Sequence, residues 1–280
     1  MTRIVHLSDL HFGFHRAALV DALLARIAAA RADLVVVTGD LTHRGTAAQY
    51  QAAAAFLRQI SAPVLAVPGN HDMPAFDPLT RLRDPLMHWR HHIAADPAPL
   101  RDVGQLRVIG LNSADPWAWQ RGRIRAADRA RVLRAQAQGV TNLIALHHPL
   151  QHRPGIDKSL ARGARRLLAG LDDGGRHVVL TGHLHLWSAG AFLPPAPPGG
   201  PGRGVLQIQA GTALCARPGD RQNEFCVIES DGPDLRIERH IAPMAETGFA
   251  PPRHLAFRHV DGGWQAVPPP DAGPLGAGGG

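Results

Sequence analysis

Short apolar runs alternate with longer stretches of helical periodicity through the first two-thirds of the chain. Residues 4–8, 33–38, 63–67, 106–111, 141–146 and 177–181 are Val-, Ile- and Leu-rich runs of strand length and read as buried strands. Between them, residues 15–31, 46–60, 125–138 and 158–171 repeat apolar positions at helical spacing, with Leu19, Leu23, Leu24 and Ile27 marking one face of the first. Residues 76–95 read as a helix interrupted by Pro78 and Pro85. This rhythm predicts α/β architecture with buried sheets. After residue 186 the rhythm changes, and 187–193, 204–210, 224–230 and 234–239 read as strands joined by turns, adding antiparallel members. The segment "PPAPPGGPGRG", residues 194–204, reads as a hairpin loop. From about residue 246 the pattern is lost, and the closing "VPPPDAGPLGAGGG" reads as disordered. One domain is expected over residues 1–245, with a C-terminal extension over 246–280.

Composition narrows the class. A chain of 280 residues with 45% hydrophobic and 19% charged residues fits one soluble globular core. No apolar run approaches the about 18 residues of a membrane span, and Met1-Thr2-Arg3 leads straight into the first strand, without a secretory leader. Cys215 and Cys226 are too few for a disulfide framework or a four-thiolate zinc site. They read as buried or neutral thiols, without a histidine base beside them, in a cytoplasmic protein. The formal charge of +7 invites a nucleic-acid reading. The cations, however, are almost all arginine and scattered, with Lys158 the single lysine. A nucleic-acid partner is therefore not favoured, although the field suits an anionic substrate.

The 17 histidines change the picture. Ligands of open α/β sheets gather at the carboxyl ends of the strands. The first predicted strand ends in Asp9 and His11, the second in Asp40, and the third in Asn70, His71 and Asp72. The run 141–146 ends in His147 and His148, and the run 177–181 in His183 and His185. G-D turns and H-x-H pairs are individually common in loops, but five strand ends delivering metal-capable side chains are not. Acids, an amide and imidazoles without thiolate suit Mn²⁺, Fe²⁺/Fe³⁺ or Zn²⁺. The donors are too many for one ion and the right number for two, the arrangement used in phosphoryl chemistry.

The blocks "DLH", "GDLTHRG", "GNHD", "HHP" and "GHLH", in this order, resemble the calcineurin-like metallophosphoesterase superfamily. The resemblance runs from residue 4 to about 212, including Gly211-Thr212 after a late strand. "HLSDLHFG" and "VPGNHD" are similar to its bacterial branch of class III cyclic-nucleotide phosphodiesterases and glycerophosphodiesterases. The resemblance implies a two-sheet β-sandwich flanked by helices, a four-layer αββα fold. It implies Asp9, His11 and His185 on one ion, Asn70, His147 and His183 on the other, and Asp40 bridging both. His147 is taken over His148 because it directly follows its strand. His71 would protonate the leaving oxygen, Asp72 would orient and charge that imidazole, and a hydroxide shared by the two ions would attack phosphorus.

The implied function is dinuclear-metal hydrolysis of a phosphodiester such as a cyclic nucleotide or glycerophosphodiester. A nuclease or nucleic-acid-binding module, and a phosphomonoesterase or nucleotide-sugar-lipid pyrophosphatase, are the alternatives on the same fold. Other residues have more ordinary readings. His88, Trp89, His91 and His92 fit an amphipathic surface helix better than a substrate rim. Trp117 and Trp119 are expected to fill packing gaps rather than stack a base or sugar, and Arg121 and Arg123 to lie on the surface rather than meet a second phosphate. His6 and His177 are read as structural, while His240, His254 and His259 lie outside the constellation.

Overall fold

The computed structural model describes residues 1–152, 155–191 and 204–269. Its strands in chain order are β1 (Thr2–Leu7), β2 (Leu34–Thr38), β3 (Val64–Val67), β4 (Leu100–Val103), β5 (Leu106–Gly110), β6 (Thr141–Ala145) and β7 (His177–Thr181). They continue as β8 (Ser188–Ala191), β9 (Val205–Gln209), β10 (Gln222–Asp231), β11 (Asp234–Pro243), β12 (Arg253–Val260) and β13 (Gly263–Val267). The α-helices are α1 (Val20–Ala30), α2 (Ala47–Leu57), α3 (Pro78–Arg83), α4 (Met87–His92), α5 (Ala126–Ala135) and α6 (Ala164–Leu171). One sheet runs β13-β12-β11-β10-β1-β2-β3 and the other β4-β5-β6-β7-β9-β8. In the first, β1, β2 and β3 are parallel; in the second, β5, β6, β7 and β9 are parallel.

The two-residue period of a strand explains the layers. Ile4, Leu34, Val36, Leu143, Ala145, Val178 and Leu180 point between the sheets into one apolar cluster. Val5, Leu7, Val35 and Val37, from the same strands, point outward under α1 and α2, where Leu19, Leu23, Ile27 and Phe56 cover them. Ile144, Leu146 and Val179 do the same on the other sheet, under Val132 of α5 and Leu167 of α6. Helix, sheet, sheet and helix therefore stack around three apolar clusters, as the family resemblance implies. Both faces of each central strand are buried, which is why those runs are continuously apolar rather than alternating. His6 fits this interior: its Nε2 lies 2.9 Å from Thr38 Oγ1, and burial pushes its pKa down to about 3, so it is neutral.

Three expectations need correction. The helix read over 158–171 forms only from Ala164, because Gly163 sits at φ 87°, outside helical geometry. The edge strand β4 was not predicted; its pattern is exposed, leaving no apolar run to read. Above all, the region after 246 carries β12 and β13, which extend the first sheet beyond β11, so a boundary at 245 falls inside one sheet. Residues 194–203 of the expected hairpin loop and 270–280 of the tail lie outside the described residues. Among those described, no helix is long and apolar enough to cross a membrane.

The last strand reaches across the sandwich. Trp264 of β13 is 5% exposed, packs in the inter-sheet cluster and donates its indole N–H to the His177 carbonyl at 3.0 Å. Trp264→Ala is expected to cost about 3–5 kcal/mol of stability, the range for emptying a buried aromatic site. Urea unfolding checks this, and a variant as stable as the parent would make β12–β13 an appendage.

Candidate metal centre at the strand ends

The parallel strands of the two sheets bring their carboxyl ends to one place. Asp9 and His11 follow β1, Asp40 follows β2, Asn70 to Asp72 follow β3, His147 and His148 follow β6, and His183 and His185 follow β7. Among the described residues seven non-glycine residues have positive φ, and five of them are Asp9, His11, Asp40, His183 and His185. Left-handed backbone turns each chain sharply as it leaves its strand, and such strain persists only where the surroundings enforce it. Gly39 allows the approach: at φ +85°, a Cβ there would lie 2.7 Å from the Gly69 nitrogen and 2.8 Å from His147 Nδ1.

Two groups of donors face each other across Asp40. In the first, His11 Nε2 lies 3.1 Å from His185 Nε2, and Asp9 Oδ1 lies 3.2 Å from His185 Nε2 and 3.6 Å from His11 Nε2. In the second, His183 Nδ1 lies 3.2 Å from His147 Nε2 and 3.1 Å from Asn70 Oδ1. Asp40 Oδ2 sits 3.7 Å from His11 Nε2 and 3.3 Å from His147 Nε2, so one carboxylate oxygen addresses both groups. The outer atoms are pinned. His147 Nδ1 bonds the Thr38 carbonyl at 2.8 Å, His185 Nδ1 bonds Asp220 Oδ2 at 2.8 Å, and Asn70 Nδ2 donates to the Trp119 carbonyl at 3.0 Å. Asp9 Oδ2 accepts from Ser8 Oγ and the His183 N–H, and Asp40 Oδ1 accepts from the His71 N–H.

Burial and mutual charge set the protonation. Burial opposes ionisation of Asp9 and Asp40, but the facing imidazoles hold both carboxyls well below the usual carboxylate range. Against its own burial, His147 is raised to about 9, chiefly by Asp40, and His185 to about 11, chiefly by Asp9 and Asp220. Burial lowers His11 and His183, and the latter also feels His148 and His147.

The donor chemistry fits divalent cations. Asp9 Oδ1 is buried without a hydrogen-bond donor of its own and is aimed at the imidazoles. Donor atoms of Asp9, Asp40 and His147 lie within 4.8 Å of one another and are buried, as do those of His11, His185 and Cys215. Such convergence of anionic oxygens and ring nitrogens could hold a divalent cation.

His148, passed over as a ligand, and Asp72, expected to orient His71, are both held by other partners. His148 bonds Ser113 Oγ with Nδ1 and the Gln120 carbonyl with Nε2, so both ring nitrogens are engaged, and burial lowers it to about 3. Asp72 accepts from the Thr42 and Gly69 N–H groups, and burial with the nearby Asp40 charge pushes it up to about 6. The His71 ring is held instead by the His43 carbonyl, 2.7 Å from Nδ1, which corrects the expectation that Asp72 orients it. The His43 ring stacks on His71 at 5.5 Å.

His43, Cys215 and Asp220 were missed as neighbours of the site. His43 lies inside the quoted "GDLTHRG" block, but Cys215 and Asp220 arrive on a loop some 200 residues from β1, and no local pattern marks them. Trp117 and Trp119 are 74% and 65% exposed, so they fill no packing gap. Trp89 is buried where α4 packs on α2, in keeping with an amphipathic helix. Arg121, with Lys158, Arg162 and Arg166, lines a basic recess of about 960 Å³, and none of the residues converging at the strand ends lines it.

The sequence model of the calcineurin-like phosphoesterase family matches residues 2–186. A protein of Synechococcus sp. named a probable cyclic nucleotide phosphodiesterase is 30% identical over 161 residues, covering 55% of this chain and 58% of that one. One of the same name from Vesicomyosocius okutanii is 30% identical over 76 residues, covering 25% and 33%. The chain thus spans little over half the length of the first of these curated relatives and a third of the second. A purple acid phosphatase from yellow lupin seeds superposes with a TM-score of 0.64 at 13% identity, over 90% of this chain and 53% of that one. PhoD superposes with a TM-score of 0.67 at 11% identity, over 95% and 71%. At these identities the structural likeness is one of fold.

Imidazoles must be neutral to bind a cation, and at pH 7 His147 and His185, raised to about 9 and about 11, carry a proton each. Saturation with Mn²⁺ is therefore expected to release about two protons per chain, and affinity to fall as pH is lowered. Calorimetric titration in buffers of different ionisation enthalpy measures this, and binding without proton release would contradict the charge balance described.

Proposed function

The chain belongs to the calcineurin-like phosphoesterase family, and from that premise we propose that it is a dinuclear-metal phosphodiesterase acting on small phosphodiesters. The observation that carries the reading is Asp40 Oδ2, within 3.7 Å of a first donor group and 3.3 Å of a second. Asp9, His11 and His185 would hold one ion, Asn70, His147 and His183 the other, and Asp40 both. Ions bound there supply neutralisation of phosphate oxygens and acidification of an attacking water.

The chain's own groups supply the rest. The His71 N–H from the backbone is spent on Asp40 and its Nδ1 on the His43 carbonyl, leaving Nε2 to carry the mobile proton. The ring sits at the edge of the metal floor, its centroid 4.9 Å from that of His11, where a leaving oxygen emerges. Asp220 holds His185 and the Thr38 carbonyl holds His147, fixing which nitrogen each ring turns inward. The names of the two curated relatives favour a cyclic nucleotide as the substrate class.

A panel of bis-aryl phosphate, cyclic AMP, a glycerophosphodiester and single-stranded DNA, run with Mn²⁺, Fe²⁺ and Zn²⁺ in turn, tests the reading. Turnover of small diesters is expected, and inactivity on all of them with every metal overturns it. Within the panel, His71→Ala is expected to lose about 10²–10⁴-fold on the glycerophosphodiester, whose alkoxide needs a proton, and less on the aryl diester. Its metal content should stay at the parent level; a parent-like rate on the glycerophosphodiester removes His71 as the acid.

A further inference from the structure

The parallel strand β5 carries none of the proposed metal ligands, and the loop after it does something else. Residues 115–120 are held at several backbone atoms. Asp115, buried, accepts from the Trp117 N–H at 3.2 Å, and its carbonyl accepts from the Ala118 N–H. Arg81 of α3, 6% exposed, donates through Nε to the Pro116 carbonyl and through Nη2 to the Ala118 carbonyl. Its guanidinium lies 4.6 Å from the centroid of the Trp119 ring. The loop is also tied to the metal floor, since Asn70 Nδ2 donates to the Trp119 carbonyl and His148 Nε2 meets the Gln120 carbonyl at 2.9 Å.

A loop so constrained would be expected to bury its large apolar side chains, yet Trp119 is 65% exposed. One face of its indole rests on the Arg81 cation and the rest is open. The indole is therefore presented, partly desolvated from below, on a residue whose backbone carbonyl accepts from Asn70. A flat, exposed π-face on a residue bonded through its backbone to Asn70 suits a flat group carried by a bound phosphodiester.

We propose that Trp119, backed by Arg81, is the stacking platform of a base-binding subsite, so that the preferred substrate is a phosphodiester bearing an aromatic heterocycle. This rests on the phosphodiesterase reading above and names the substrate class for the same site. Trp119 contacts the base, while Arg81 acts as a positioning residue through the loop. Phosphodiesters without a base reach the metal floor but gain nothing from the indole.

The test compares kcat/KM for cyclic AMP with kcat/KM for its abasic ribose cyclic phosphate, in the Mn²⁺-loaded parent, Trp119→Ala and Trp119→Phe. The parent should prefer cyclic AMP, Trp119→Ala should lower that preference by about 5- to 150-fold, the range of one base–aromatic stack, and Trp119→Phe should restore most of it. A preference that does not move in Trp119→Ala overturns the subsite. Quenching of tryptophan fluorescence by AMP, measured on the same proteins, reads binding without turnover and should largely vanish in Trp119→Ala. If the parent hydrolyses neither diester, the hydrolytic reading fails and the quench alone decides: loss of it in Trp119→Ala upholds the subsite, and undiminished quenching overturns it.

Discussion

Two carboxylates, Asp9 and Asp40, are buried where five strand ends converge, and the surrounding structure is arranged to balance their charge. Burying an unpaired carboxylate is prohibitive, so compensation has to be built in. Among the described residues, the ion pairs of Asp9 and Asp40 are all with histidines. Imidazole is a conditional cation: it can pair with a carboxylate when protonated, or surrender the proton and share a metal with it. A lysine or arginine in the same place would close the site permanently. The left-handed backbone at five of these residues and the apolar strands beneath them follow from having to hold so many polar groups in one dry pocket.

The residues converging at the strand ends and the loop at 119–120 are one hydrogen-bonded body. Asn70 and His148 each use a polar atom to hold the loop at 119–120, while the His43 carbonyl holds His71. The loop and the His71 ring are thus placed by residues at the strand ends, which limits the loop's freedom without covering its indoles. Under the proposed reading, selectivity would reside in what those loops present.

What was legible in the sequence follows from locality. A strand, a tight turn and a polar residue occupy fewer than ten positions, so Asp40 after β2 or His147 after β6 could be read directly. The choice of His147 over His148 rests on position after the strand; in the structure both His148 nitrogens lie against Ser113 and Gln120, while its ring also stands near His147 and His183. Contacts made by distant segments were not legible. Nothing near Asp220 or Cys215 signals that their loop returns beneath β1, where Thr212 Oγ1 bonds the Asp9 carbonyl. The role given to Asp72 failed for a related reason, because a backbone carbonyl, invisible in any motif, does the orienting. The strands β12 and β13 escaped because their outer positions carry Arg253, His254 and Arg258 and lie partly in solvent, which dilutes the alternation.

The central claim is that one carboxylate, Asp40, joins two donor groups into a single binding unit. Elemental analysis of protein saturated with Mn²⁺ and dialysed against metal-free buffer tests it most directly. The account predicts about two ions per chain in the parent and substantial loss from both positions in Asp40→Asn. One ion per chain in the parent, or full occupancy in Asp40→Asn, would contradict it.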